Sequence, residues 1–435
     1  MAQLRYYDVT SNTWLPMSAV GPQGSQGFQG AQGVSTGSTA PADTTLLWLN
    51  TASAGVGTQG PQGFQGPSGG AQGAQGATAV VSQSTAPANT SVVWLDTSTS
   101  VTGIATSAYG VAGKNAVING GMDIAQRGTS QTFTAGPAYS LDRWTFNCSV
   151  ATNITISQVQ TSDTTNLPNI YYAMRVQKAS GNTSTPFVPL TYNFESKDSY
   201  RFAGQTVTFS FYARVGANWS GTGFATQLVS GTGNDQNLYS TAFNGSNGFI
   251  SQTISSLTGT WQRFVYSGTV PATTTQLGIQ FNWNTSAGAS GAADYIDITG
   301  VQVELGSTVT PFSRAGGTIG GELALCQRYY YRTTLSPAAS GILGFGMATA
   351  TTTALIAVRL PVTMRTAPSG TVESSGLWLY DGVSTINATI TTGGGMTPDP
   401  NIMNILATTT GLTQLRPYFL YTGQTTSYLG ISAEL

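Results

Sequence analysis

Two pairs of carboxylates stand close enough in sequence to suggest acid–base chemistry: Asp294 and Asp297 in DYID, and Glu195 and Asp198 in ESKD. Such a pair can hydrolyse a glycoside without a histidine. Positions three apart on a strand face opposite ways, however, and Glu195 and Asp198 lie in a polar, loop-like stretch. The chain contains no histidine at all, which removes the commonest general base and the commonest metal ligand. Ser-His-Asp triads, His-based zinc sites and Cys-His nucleophiles are therefore excluded. Its two cysteines make neither a disulfide framework nor a metal knuckle. Cys148 alternates with Trp144, Phe146 and Val150 and reads as a buried thiol, as does Cys326. No D-x-D-x-D-G calcium loop appears. The expectation is a protein without catalysis, cofactor or metal.

Binding chemistry has more candidates. Sugars stack their C–H faces on aromatic rings, while their hydroxyls need paired donors and acceptors. In GLWLYDG, Leu377 and Leu379 claim one face of a strand, leaving Trp378 and Tyr380 on the other with Asp381 just beyond. Trp378, Tyr380 and Asp381 thus form a candidate glycan site, unless the two rings pack between copies of the chain. Trp219, in the glycine-rich GANWSGTG, is a further candidate, with a loop anchor as the alternative. Trp144, Trp261 and Trp283 read as core. Asn282 and Asn284 point outward by alternation.

The elements that position these residues are strands. VTFSFYARV, from Val207, and QLGIQFNWN, from Gln276, alternate apolar and polar residues with the period of two that marks a half-buried strand. YIDITGVQVEL adds two strands hinged at Gly300. GGELALCQRYY, near Glu322, is the one modest helical segment. Strand and turn spacing predicts a β-sandwich over 113–332 and a distal β domain over 333–435, with strands in TALIAVRLPV, GLWLYDG, INATIT and RPYFLY. A terminal GISAEL strand should be tied into its sheet.

The first hundred residues are built differently. Glycine recurs at every third position at Gly21, Gly24, Gly27, Gly30 and Gly33, and again at Gly57, Gly60, Gly63, Gly66 and Gly69. It restarts one residue out of phase at Gly70, Gly73 and Gly76. Three polyproline-II chains wound together admit only glycine at their axis; a flexible linker needs glycine but not its phase. STAPADTTLLWLNTAS, from Ser38, recurs as STAPANTSVVWLDTST, from Ser84, with nine of sixteen positions identical. The reading is a hairpin over 1–20, a collagen-like tract over 21–33, a short β repeat over 34–56, a second tract over 57–78 and a second repeat over 79–112. Trp48 or Trp94 would be buried where copies associate.

Charged residues make up 8% of the chain and the formal net charge is -1, leaving no electrostatic footprint for nucleic acid or anionic membrane. No apolar run approaches the roughly 20 residues that span a bilayer, and the start lacks a basic-then-apolar signal. Folding in the cytoplasm of the producing cell is expected.

KNAVINGGMDIAQRGTS, from Lys114, then YSLDRWTF, FAGQTVTFSFYARV, GTWQRFVYSGTVP, YIDITGVQVELGSTVTPFSR and ELALCQRYYYR resemble the carbohydrate-binding-module-like jelly roll of bacteriophage tail fibre proteins. The resemblance runs over roughly 113–332. The hairpin, glycine triplets and repeated STAPANTSVVWLDT-type elements are similar to fibre proteins of phages, cyanophages included. The resemblance implies an all-β, elongated homotrimeric fibre with collagen-like segments, a jelly roll and a distal tip domain. It would be attached by its N-terminus to a baseplate, adaptor or nozzle protein of the virion tail. Its distal β domains would contact host surface polysaccharide without catalysis, and no nucleic acid or membrane partner is implied. A head fibre or capsid decoration, and a collagen-like bacterial surface or spore-coat protein, are the alternatives.

Overall fold

Alternation in Thr206–Val215 places Val207, Phe209, Phe211 and Ala213 in the interior, and the same period governs most strands around it. The computed structural model describes residues 113–435, apart from 135–136, 148–152, 287, 335–340, 369–372, 393–398 and 423–427, together with six short strands within 1–112. The expected Cys148 thiol and the triplet glycines from Gly21 to Gly76 lie outside the described residues.

In the N-terminal unit, Gln3–Asp8 and Thr13–Pro16 form the expected antiparallel hairpin. Leu47–Asn50 and Val93–Asp96, the strands of the two repeats, each pair in parallel with a preceding strand, Val34–Gly37 and Val80–Gln83 respectively. The duplication in sequence is thus a duplication of one pairing unit. Gln3–Asp8 also pairs with Val93–Asp96.

In the second unit, residues 130–305 form a sandwich of two six-stranded antiparallel sheets. The first runs, edge to edge, Gln262–Thr269, Thr206–Val215, Tyr295–Leu305, Tyr172–Lys178, Ile154–Gln160 and Ser130–Phe133. The second runs Asn247–Thr253, Gly221–Gly231, Gln276–Thr285, Phe187–Asn193, Trp144–Phe146 and Ala138–Tyr139. Their inner faces meet over an aromatic core in which Phe281 lies 4.8 Å from Phe211 and 6.2 Å from Trp144, ring centre to ring centre. Such offset and tilted pairs add to the burial of the rings themselves. Thr208 and Ser210 take the outward side of their strand, as alternation dictates, yet both are buried. Thr208 donates to Gly306 O at 2.7 Å and Ser210 accepts from Arg263 on the adjacent strand at 3.3 Å, so both hydroxyls are satisfied.

The expected helix is Ile319–Gln327, capped by the Thr318 hydroxyl, which accepts from Gly321 N. Cys326 is buried on it, and burial pushes its thiol pKa well up. The Glu322 carboxylate turns back to accept from Gly316 N at 2.7 Å and from Asn119 N.

Seven further strands curl into a near-closed β-barrel in the order Thr385–Asn387, Leu377–Tyr380, Pro417–Thr422, Ile342–Ala348, Thr353–Arg359, Ile402–Thr408 and Thr389–Thr392. Gly346 is required there: a Cβ would sit 1.7 Å from Leu355 O. Tyr428–Ser432 pairs with Tyr330–Thr334 and Glu373–Ser375, tying the GISAEL strand into a small sheet. Beyond it, Glu434 reaches the sandwich and pairs with Arg127 and the buried Arg143.

Candidate functional site

The alternation expected in GLWLYDG holds. Leu377 and Leu379 enter the barrel core, and Trp378 and Tyr380 stand half-buried on the outer face. Register extends that face into two rows across three strands: Tyr380, Phe419 and Phe345, and Trp378, Tyr421 and Ile342. Tyr380 lies 5.9 Å from the Tyr421 ring and its hydroxyl donates to Gly382 O. Asp381 follows in the turn. It accepts from Ser384 N and Val383 N and pairs with Arg416 at 3.2 Å. The bonds from Ser384 and Val383 hold its carboxyl below the usual range. The carboxylate shapes the turn.

Trp219 does not join them. It is half-buried on the sandwich, 5.8 Å from Trp283, with its ring so close over Gly221 that a Cβ there would meet it at 1.9 Å. This is the geometry of a loop anchor.

Trp261 departs from expectation. It is not a core residue but lies half-buried on the outer face of the first sheet. The cause is parity. Phe264 and Tyr266 oppose the inward Phe211 and Phe209, so Arg263 and, two residues earlier, Trp261 fall on the outer side.

That outer face gathers charge. Asp297, at 0% exposure, sits on the central Tyr295–Leu305 strand directly opposite Arg175 on one neighbour and Arg214 on the other. Arg175 grips it through Nε and Nη2, at 2.7 and 2.9 Å, and Arg214 through Nε at 2.9 Å. The two arginine side chains remain 22% and 23% exposed, so one edge of each reaches solvent. Each guanidinium also lies over a ring: Arg175 is 3.6 Å from the Tyr295 centroid and Arg214 4.6 Å from that of Trp261. Next to them Arg263 covers Tyr212 at 5.3 Å. Leu167, Ile170 and Phe312 form a small apolar wall against Tyr212 and Trp261. The Trp261 Nε1 is buried without an acceptor among the described residues. Two cations thus share one carboxylate beside aromatic faces.

The remaining acids have local partners. Asp294 accepts from Ser220 N at 2.9 Å and Ser220 Oγ at 2.6 Å. Glu195 is held by Arg328 through two bonds, at 3.1 and 3.0 Å, while burial raises the pKa of Asp198. Among the described residues no cluster of three or more His, Cys, Asp or Glu side chains could hold a metal, and no helix is long and apolar enough to cross a membrane.

The sequence matches no protein-family model and no curated protein. Among solved structures, it is similar to the enzymatically active domain of tailspike protein 4 of bacteriophage CBA120 at 16% identity, covering 44% of this chain, with a TM-score of 0.29. It spans 21% of that tailspike chain, about a fifth of its length. It is also similar to a family 4 carbohydrate-binding module, at 16% identity over 44% of this chain and 100% of the other, with a TM-score of 0.25. A family 11 module from Clostridium thermocellum, in complex with a β-1,3-1,4-mixed-linked tetrasaccharide, is similar at 10% identity over 42% of this chain and 98% of the other, with a TM-score of 0.24.

Proposed function

We propose that this chain is the subunit of a homotrimeric virion tail fibre, anchored through its N-terminal segment, whose sandwich holds host surface polysaccharide without cleaving it. The observation that carries the binding role is the outer face of the first sheet, where Arg175 and Arg214 share Asp297 between the Tyr295 and Trp261 rings. The solvent-facing guanidinium edges suit the paired oxygens of a sugar, and the flanking rings suit its C–H faces. Mutual pairing already fixes the three charged groups, which lowers the ordering cost of binding. Two positive charges against one negative favour an acidic glycan over a neutral one.

A binding role without cleavage is supported by the state of the acids. Asp297 is buried under two arginines, Asp294 is committed to Ser220, and Glu195, beside Asp198, is held by Arg328 through both oxygens. Glycoside hydrolysis needs one protonated and one free carboxyl group facing the same bond.

The test is retention of the purified chain on immobilised acidic and neutral polysaccharides. An Arg214→Gln, Trp261→Ala double variant should lose about ten-fold or more in affinity for the acidic ones, the scale of one to two hot-spot contacts. The bound polysaccharide should release no reducing ends. Retention indifferent to the double substitution would remove the site.

A further inference from the structure

The outer face of the barrel is a surface of another kind. Ile342 is 58% exposed, Phe345 69% and Phe419 38%, and register sets them beside Trp378, Tyr380 and Tyr421 in the two rows described above. The strands that carry them, LWLY, PYFLYT and ILGFGMA, contain no charged residue. They offer few groups to a sugar hydroxyl either, and the Tyr380 hydroxyl is already turned to Gly382 O. Exposed aromatic and aliphatic side chains grouped in this way often mark a contact surface.

We infer that this face packs against the same barrel of a second copy of the chain, forming the contact that holds the distal domains of the fibre together. The inference rests on the fibre reading and names where its copies meet beyond the glycine tracts. Three considerations favour a second copy over another occupant. An uncharged face can line the common axis of a trimer, because like copies bring no like charges together there. Phased triplet glycine calls for copies aligned in parallel, which brings identical barrels together at high effective concentration. Tracts this short need support elsewhere in the chain, and an aromatic-rich apolar face is what a lasting interface between subunits uses.

The experiment compares the full chain with Phe345→Glu and with Val383→Glu, a control in the turn after Leu377–Tyr380, where the side chain is also exposed. Far-UV circular dichroism checks that each variant folds. Native mass spectrometry, thermal unfolding and polysaccharide retention are then read together. Expected are an oligomeric wild type, and a Phe345→Glu chain that dissociates at about ten-fold higher concentration or melts earlier, because a charge enters a buried contact. Val383→Glu should behave as wild type, and Ile342→Cys should form a disulfide between copies on mild oxidation. A Phe345→Glu chain with unchanged mass and melting, together with an uncrosslinked Ile342→Cys, overturns the inference while the fibre reading stands. Loss of polysaccharide retention by Phe345→Glu, with mass and melting unchanged, would make the face a ligand platform and overturn it equally. A wild type that is a single chain removes both the inference and the fibre.

Discussion

Arg143 shows how much one side chain can demand of its surroundings. Its side chain is 1% exposed, and it is held by Glu434, by Asn193 O at 2.6 Å and by the Tyr329 ring at 3.5 Å. Burial alone would drive a guanidinium towards neutrality, but the Glu434 carboxylate raises its pKa overall. Breaking such a pair from one side leaves an uncompensated buried charge, so Glu434→Ala should cost about 3–5 kcal/mol. Arg127, which shares Glu434 and lies 3.5 Å over Tyr330, would lose its partner at the same time. Glu434→Gln keeps an acceptor and should cost less. Urea unfolding followed by tryptophan fluorescence measures both, and an unshifted midpoint for the alanine variant would show that the pair contributes nothing to the sandwich and barrel together. The Arg175, Asp297 and Arg214 cluster is more open, with both arginines about one-fifth exposed, and that solvent edge is what the proposed binding role relies on.

The helix and the turn carry carboxylates of opposite behaviour. In Ile319–Gln327, burial pushes the Glu322 carboxyl up, against the lowering effect of the bonds from Gly316 N and Asn119 N. Its folded pKa therefore lies above the unfolded one, and ionisation weighs against the fold as pH rises from about 4.3 through the folded value. The stability advantage of wild type over Glu322→Gln should accordingly shrink between acid and neutral pH, as measured by thermal melts across that window. A constant gap would contradict the raised value. Asp142, also raised by burial, adds a slope of the same sign. Asp381 runs the other way: its lowered value supports the turn above the unfolded pKa and is lost as pH falls through the folded one. Sequence makes much of this element structure legible, because a period of two survives without context: Thr206–Val215, Gln276–Thr285 and Leu377–Tyr380 all point as their alternation dictates. Val34–Gly37 and Val80–Gln83 are too short and polar to announce themselves. The charged site is illegible for another reason. Arg175 and Arg214 lie 122 and 83 residues from Asp297, and only strand register brings them opposite it. Trp261 reads as core by its size, whereas its parity with Arg263 places it outside.

At the scale of the whole molecule the question is what the phase of glycine does. Residues 21–33 and 57–69 each allow about 37 Å of triple helix at roughly 3.1 Å per residue, and Gly70 breaks the phase before the last triplets. Segments that short are marginal, so a single substitution inside one should be felt by the assembly. In the proposed triple helix Gly63 would fall at the axial position of its triplet and Gln62, its neighbour, at an outward one. A side chain at the axis meets the other two chains, whereas a change at the outward position meets water. Gly63→Ala should therefore lower the melting temperature of the oligomer and open residues 57–76 to protease, while Gln62→Ala leaves both near wild type. In a flexible linker the order reverses or vanishes, since glycine there supplies only freedom and alanine in its place changes little. Native mass spectrometry of the two variants, with limited proteolysis across a temperature ramp, separates these outcomes. Equal behaviour of Gly63→Ala and Gln62→Ala would mean that the phase carries no structure.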